Sequence, residues 1–377
     1  MARNGKSPIL VVIQLSGAND FMNTVVPYAS PTYYDVRPKV SIPQDQVIPI
    51  NDEIGFHPSL VPLKELYDEG HVAVVQGTGY PDPTRSHFRS MDIWHTCDPV
   101  NIAPEGWLGK VTRELDPNSE NPLKCINFGR GLPRALSATG VSVTSVGDLD
   151  NYGVMGNVED QREEALEQFK GMYGQAIGTG PVMDYLGQTG MDVVRGMDLL
   201  KQAPMKYSSD VEYADNPIAK GLRDVARVHL ADLGTRIFYA HHLGYDHHSN
   251  IGTAHPKLLS ELSGAIMDFL QDMRDHNVAD EVVILVFSEF GRRIRDNGSG
   301  TDHGAGGGSF VIGDPVKGGL FAEYPSMNPS DWESGEDLRY TVDFRSLYAS
   351  LLEQWMGMDA APIVGGTFEQ LQLVNKY

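Results

Sequence analysis

The sequence predicts an α/β protein with a mostly parallel central sheet and helices on both of its faces. Three observations lead there. The chain carries four apolar runs rich in β-branched residues: "ILVVIQL" (9–15), "HVAVVQG" (71–77), "TRIFYAHHL" (235–243) and "EVVILVF" (281–287). They read as continuous rather than alternating, as strands do when both faces are covered. Helical patterns lie between the runs, and the one joining the last two makes a βαβ unit, which implies parallel neighbours. Finally, every run leads into a polar loop containing glycine, at the end of the strand where open α/β sheets bind their ligands.

In chain order, the first run is followed by "HPSLVPLKELYDEG" (57–70), a helix that stops at Gly70, a residue suited to the left-handed position after a helix. Residues 151–235 are mainly helical, through "EDQREEALEQFKGMYG", "VMDYLGQTGMDVVRGMDLLK" and "NPIAKGLRDVARVHLAD". They are expected to form a cap or insertion within one domain spanning residues 1–377. In "HPKLLSELSGAIMDFLQDMRDH" (255–276), Leu258, Leu259, Leu262, Ile266, Phe269, Leu270 and Met273 recur at helical spacing, with Pro256 expected in the first turn. The Gly- and Asp-rich stretches 296–308 and 323–338 read as exposed connections. A last helix, "DFRSLYASLLEQWMG" (343–357), has Asp343 as its expected N-cap.

The 377 residues carry 50 acidic and 30 basic side chains, a formal charge of −20. Such a surface disfavours nucleic acid and anionic membranes as partners. An anionic substrate would need local positive charge from Arg, Lys or bound metal. Cys97 and Cys125 form no CxxC and are expected to be buried thiols. The start, "MARNGKSPILVVIQLSG", lacks a cleavage-site pattern, and no apolar stretch reaches the roughly 18 residues of a membrane span. The chain as given reads as cytoplasmic, or as exported if a leader has been removed. No feature specifies an oligomeric state.

The strand-terminal loops are "SGANDFMNT" (16–24), "GTGYPDPTRSHF" (77–88), "GYDHHSN" (244–250) and "SEFGRR" (288–293), the last soon followed by "GTDHGAGGG" (300–308). Taken singly, their residues have ordinary explanations. Asp20 and Ser86 fit helix N-caps, His247 and His248 fit a surface loop, and Glu289 fits an ion pair with Arg292 or Arg293. His303 is harder to assign to packing, because its glycine neighbours build no core. If the strands are parallel neighbours, Asp20, Ser86, Asp246, His248, Glu289 and His303 converge on one edge as a composite site. Imidazole with carboxylate suits zinc or manganese; carboxylates alone suit magnesium or calcium. One or two such cations would polarise a phosphoryl or sulfuryl oxygen and offset the protein's negative charge. Ser86, at a helix start, is a candidate nucleophile.

The motifs "LSGANDFMNTVVPY", "PDPTRSHFRSMDIW", "EGWLG", "GYDHHSN", "SEFGRR.R.NGSGTDHG" and "DFRSLYASLLEQW" resemble, in order and spacing, the bacterial domain-of-unknown-function 1501 family (DUF1501) from about residue 8 to 357. That family in turn resembles the alkaline phosphatase superfamily, which includes sulfatases, phosphodiesterases and cofactor-independent phosphoglycerate mutases. The resemblance implies metals at the carboxyl edge of the sheet. It places Asp246, His248 and His303 in one metal site, and Asp20 with Glu289 in a second, bridged by the nucleophile. Two departures stand out. Phe290 replaces a usual histidine, and Pro81 occupies the position of the residue that sulfatases convert to formylglycine, so a formylglycine mechanism is not expected. The nucleophile lies between Ser86 and Thr84, or is a hydroxide. His87 is a ligand, an acid or a helix-start residue, and His247 is a support for the ligands. Arg85 is expected to fix an anionic oxygen, and Arg292 to make a surface ion pair. The implied function is a metal-dependent hydrolase acting on a small anionic ester or a sulfated or phosphorylated carbohydrate. Its alternative is a non-catalytic metal- or carbohydrate-binding protein on a degenerate hydrolase scaffold.

Overall fold

The computed structural model describes residues 7–150, 152, 162–178 and 180–375. At its centre, the strand Ile9–Ser16 is flanked in parallel by Ile237–Leu243 and Val282–Ser288. Beyond Ile237–Leu243 the sheet continues, still parallel, with Cys125–Phe128 and Thr144–Val146. On the other side, Gly307–Ile312 lies antiparallel between Val282–Ser288 and Val72–Gly79. Gly319–Phe321 and Val342–Asp343 complete the nine strands by pairing in parallel with Val72–Gly79. The sheet is therefore mostly parallel, with one reversed strand.

The apolar runs are continuous because both faces are covered. Along the first strand, Ile9, Val11, Ile13 and Leu15 pack into one core with residues of the helices Val61–Asp68, Pro217–Leu230 and Ile251–Asp275. Leu10 and Val12 pack into a second core with residues of His87–Thr96, Trp107–Leu115 and Phe344–Leu351. Each such side chain contributes roughly 1.5–3 kcal/mol by leaving water. Cys97 and Cys125 are free and buried in the second core.

Several boundaries differ from the sequence reading. The long helix begins at Ile251, so Pro256 is its sixth residue rather than a first-turn one and removes the hydrogen bond to the carbonyl of Gly252. Segment 296–308 is not wholly an exposed connection. Thr301–His303 pairs with Arg292–Asp296 in a two-stranded ribbon, Thr301 is buried, and Gly307 opens a central strand. The strands Cys125–Phe128 and Thr144–Val146 are too short for a periodic pattern to reveal them. Within 151–235 the described helices are Arg162–Ala176, Pro181–Leu200, Gln202–Lys206 and Pro217–Leu230. The last of these packs into the main core, while residues 151, 153–161 and 179 lie outside the described residues. Asp343 caps its helix as expected, accepting from the Arg345 N–H at 2.9 Å. No described helix is long and apolar enough to cross a membrane.

Candidate metal centre

At the carboxyl edge of the sheet, the loops after Ile9–Ser16, Val72–Gly79, Ile237–Leu243 and Val282–Ser288 come together. Their approach depends on missing side chains. A Cβ on Gly17, whose φ is +116°, would lie 2.4 Å from the Asp246 nitrogen. One on Gly300 would lie 2.3 Å from the His247 carbonyl oxygen. Only glycine permits contacts this close.

The gathered side chains are His87, Asp246, His248 and His303. His303 Nε2 lies 2.9 Å from both His87 Nε2 and His248 Nε2, and 3.2 Å from Asp246 Oδ1. His248 Nε2 is 3.1 Å from Asp246 Oδ1, and His87 Nε2 is 3.5 Å from Asp246 Oδ2. Among the described residues, His87, Asp246 and His303 form the group whose ligand atoms all lie within 4.8 Å of one another. His248 joins it through His303 and Asp246.

The outer nitrogens decide the protonation. His303 Nδ1 is 2.8 Å from the Arg85 carbonyl oxygen, which can only accept, so Nδ1 carries the hydrogen. His87 Nδ1 faces Glu289 Oε1 at 2.8 Å, and His248 Nδ1 faces Asp302 Oδ1 at 2.9 Å. With those hydrogens spent outward, neutral rings of His87 and His248 each present an Nε2 lone pair to that of His303. Such an arrangement needs extra protons on two of the rings or one cation among them. Histidines tied outward to a carboxylate or carbonyl, with the second nitrogen free, are the usual support for a metal ligand set. Three imidazoles and a carboxylate form a donor set suited to zinc or manganese. The Glu289 hydrogen bond is the largest influence on His87 and, against burial, raises its pKa.

Arg292 holds the site together. It is not a surface ion pair: it is fully buried and donates to the carbonyls of Ala18, Thr301, Gly17 and Tyr245 at 2.9–3.0 Å, and to Asp246 Oδ1 at 2.7 Å. One guanidinium thus ties three site loops together. Burial opposes the charge of Asp246, but Arg292, His303 and His248 outweigh it and hold its pKa below the ordinary value. Phe290, in place of a histidine, is buried and stacks on the His87 ring at 5.0 Å, so its role is packing.

Other expected residues lie elsewhere or are already occupied. Asp20 is completely buried: it caps the short helix Phe21–Thr24, accepts from Arg37 at 2.7 Å and from Thr301 Oγ1 at 2.9 Å. Both its oxygens are committed to protein partners. Glu289 uses one oxygen for His87 and the Gly17 N–H, and the other for Ser288 Oγ. In this arrangement both carboxylates are braced by protein partners. Arg85 is held by Asp337 at 2.8 Å and Glu336 at 3.1 Å, so its guanidinium is not free for an anionic oxygen, and only its carbonyl reaches the cluster. Ser86 Oγ caps the helix His87–Thr96 by accepting from the Arg89 N–H at 3.5 Å, and Thr84 Oγ1 accepts from the Ser86 N–H at 3.3 Å. Among the described residues, neither hydroxyl hydrogen-bonds to the cluster. His247 is buried against His255, and neither ring nitrogen has a hydrogen-bond partner among the described residues. The sequence reading did not single out Asp302; a carboxylate directly before His303 was the available signal.

A cleft of about 600 Å³ opens beside the cluster, with His87, Asp246 and Glu289 on one side and Gln14, Phe88, Met91, Asp92, His95, Arg134 and Leu243 around the rest.

Among solved structures, the chain is similar to a protein of the alkaline phosphatase superfamily from Vibrio parahaemolyticus (12% identity, 96% of this chain and 69% of that one, TM-score 0.41). It is also similar to the PsFucS1 sulfatase from Pseudoalteromonas sp. (10% identity, 98% and 71%, TM-score 0.43). A third similar structure is the C-terminal periplasmic domain of EcEptC from Escherichia coli in complex with Zn (9% identity, 83% and 75%, TM-score 0.39). Likenesses this distant carry no inference of activity. No curated protein sequence matches the chain. The model of the family described as "Protein of unknown function (DUF1501)" matches residues 7–364, nearly the whole length, and the chain belongs to that family.

Proposed function

We propose that the protein is a metal-dependent hydrolase of phosphate or sulfate esters, with one divalent cation, zinc or manganese, held by His87, Asp246, His248 and His303. The observation that carries this reading is that His303 Nε2 meets those of His87 and His248 beside the Asp246 carboxylate, with the outer nitrogens of all three rings already fixed. The cation would supply Lewis-acid polarisation of the ester oxygen. The protein's residues do the positioning: Glu289 and Asp302 orient His87 and His248, the Arg85 carbonyl orients His303, and Arg292 fixes Asp246. In the hydrolysis, the oxygen of water ends bonded to phosphorus or sulfur. The bond to the leaving oxygen breaks, and that oxygen takes a proton. Attack through Ser86 or Thr84 would use the lone pair that the bond from the backbone N–H leaves free, with the hydroxyl turned toward the cluster.

One observation favours a non-catalytic, metal-binding reading: both candidate hydroxyls are engaged with backbone N–H groups. The two readings part on a single experiment. Purified protein is analysed for bound metal, then assayed metal-loaded against aryl phosphate monoesters, diesters and sulfate esters. Stoichiometric metal with turnover supports the hydrolase; stoichiometric metal without turnover on any ester supports the binding protein.

A further inference from the structure

The cleft beside the cluster has a mostly apolar wall at the place where a leaving group would lie. Phe88 follows the ligand His87 directly and is 92% exposed, and Leu243, at the end of its strand, is 64% exposed. Neither is needed by the core. Large apolar side chains left in water beside a polar centre mark an interaction surface. Met91, one helical turn from Phe88, continues the wall.

Most polar side-chain atoms of the same cleft are occupied by one another, although Arg134 Nε is buried with no hydrogen-bond partner among the described residues. Gln14 Oε1 faces both His95 Nε2 and the Tyr239 hydroxyl, while Gln14 Nε2 donates to Ser16 Oγ. Asp92 lies between Arg89 and Arg134. A leaving group dense in hydroxyls would find few free partners here and would leave its own groups poorly paired, at a cost. A flat or flexible apolar group would cover Phe88, Met91 and Leu243 at a gain.

We infer that the substrate is an amphiphilic ester, with its anionic head at the His87–Asp246–His248–His303 cluster and an aryl or alkyl leaving group, not a sugar, seated on Phe88, Met91 and Leu243. The inference rests on the ester-site reading above.

The test is binding to the metal-loaded full chain by calorimetry, using non-hydrolysable probes: naphthalene-2-phosphonate and -sulfonate against the 6-phosphonate and 6-sulfonate of glucose. The naphthyl probe is expected to bind at least about tenfold more tightly than its sugar counterpart, and Phe88→Ala to remove about tenfold of its affinity. Leu243→Ser should weaken it severalfold, with metal content unchanged in both variants. Equal or tighter binding of the sugar probes overturns the inference. So does naphthyl binding indifferent to both substitutions, or no binding of any probe. Naphthyl binding with the expected dependence, but no ester turnover, would remove the hydrolase and leave the cleft assignment standing. Turnover without preference for aryl over sugar esters would do the reverse.

Discussion

Two carboxylate centres lie at the same edge of the sheet, and they are built to opposite ends. At one, Asp20 and Arg37 are both buried, 1% and 0% exposed, with further bonds to Asn23, Thr301 and the Arg293 and Ile294 carbonyls consuming the remaining polar atoms. At the other, the Asp246 side chain is 48% exposed, and three histidines turn their Nε2 atoms toward it or toward one another. An arginine braces each. The first centre is closed: every charge has an internal partner, and the structural burden falls on the pair itself. The second is open: Arg292 holds Asp246 Oδ1, but the outer nitrogens of the rings are satisfied and the inner ones face only one another and the carboxylate. A carboxylate near histidines is thus not enough to assign a ligand; what matters is where its lone pairs are already used.

That contrast is broken most sharply by removing each carboxylate in turn. Asp20→Ala leaves the Arg37 cation buried without its partner and should cost about 3–5 kcal/mol of stability in chemical denaturation, while the folded fraction still binds metal. Asp246→Ala should do the opposite, abolishing stoichiometric metal binding with a smaller loss of stability, because Arg292 keeps its four carbonyl acceptors. If Asp20→Ala instead strips metal from folded protein, the closed centre is part of the site.

A finer cut is Asp302→Asn, which weakens the support of His248 without touching a ligand. Metal affinity should fall about 10- to 100-fold, measured by competition with a chelator, with stability nearly unchanged.

The buried histidines away from the cluster sharpen the comparison through pH. Burial pushes His95 down to about 3, and His57 and His241 down to about 4, from an ordinary 6.5. Their depressed values mean that the unfolded chain takes up these protons first. The stability they permit is complete above about pH 6.5 and is lost as pH falls from there toward 4 and then 3. Denaturation midpoints should therefore decline below pH 6.5; a midpoint constant from pH 7 to 5 would contradict the burial of all three.

The smallest expected effect is Ser86→Ala, about 1 kcal/mol of stability from the lost helix cap. Loss of all ester turnover in that variant, with metal retained, would make Ser86 the nucleophile despite its capping role.

The chain order by itself determined the four long strands, because runs such as "ILVVIQL" and "EVVILVF" can be satisfied only between two covered faces. It also determined that Asp246, His248 and His303 would stand beyond the strand ends at one edge, since the long strands are aligned by their own hydrophobicity, although His303 lies in a short ribbon strand rather than a loop. Residue types did not reveal which side chains remain free once the loops pack. Asp20 and Asp246 are the same residue in similar loops, and only the burial of Arg37 against one, and the arrival of three imidazoles at the other, separates them. His87 joined the cluster because its helix begins beside the Glu289 loop, and Arg292 became the central brace because four carbonyls from distant segments surround it. Hydrophobic pattern is local and legible. The commitment of each lone pair is a property of neighbours brought in from hundreds of residues away, and only tertiary packing decides it.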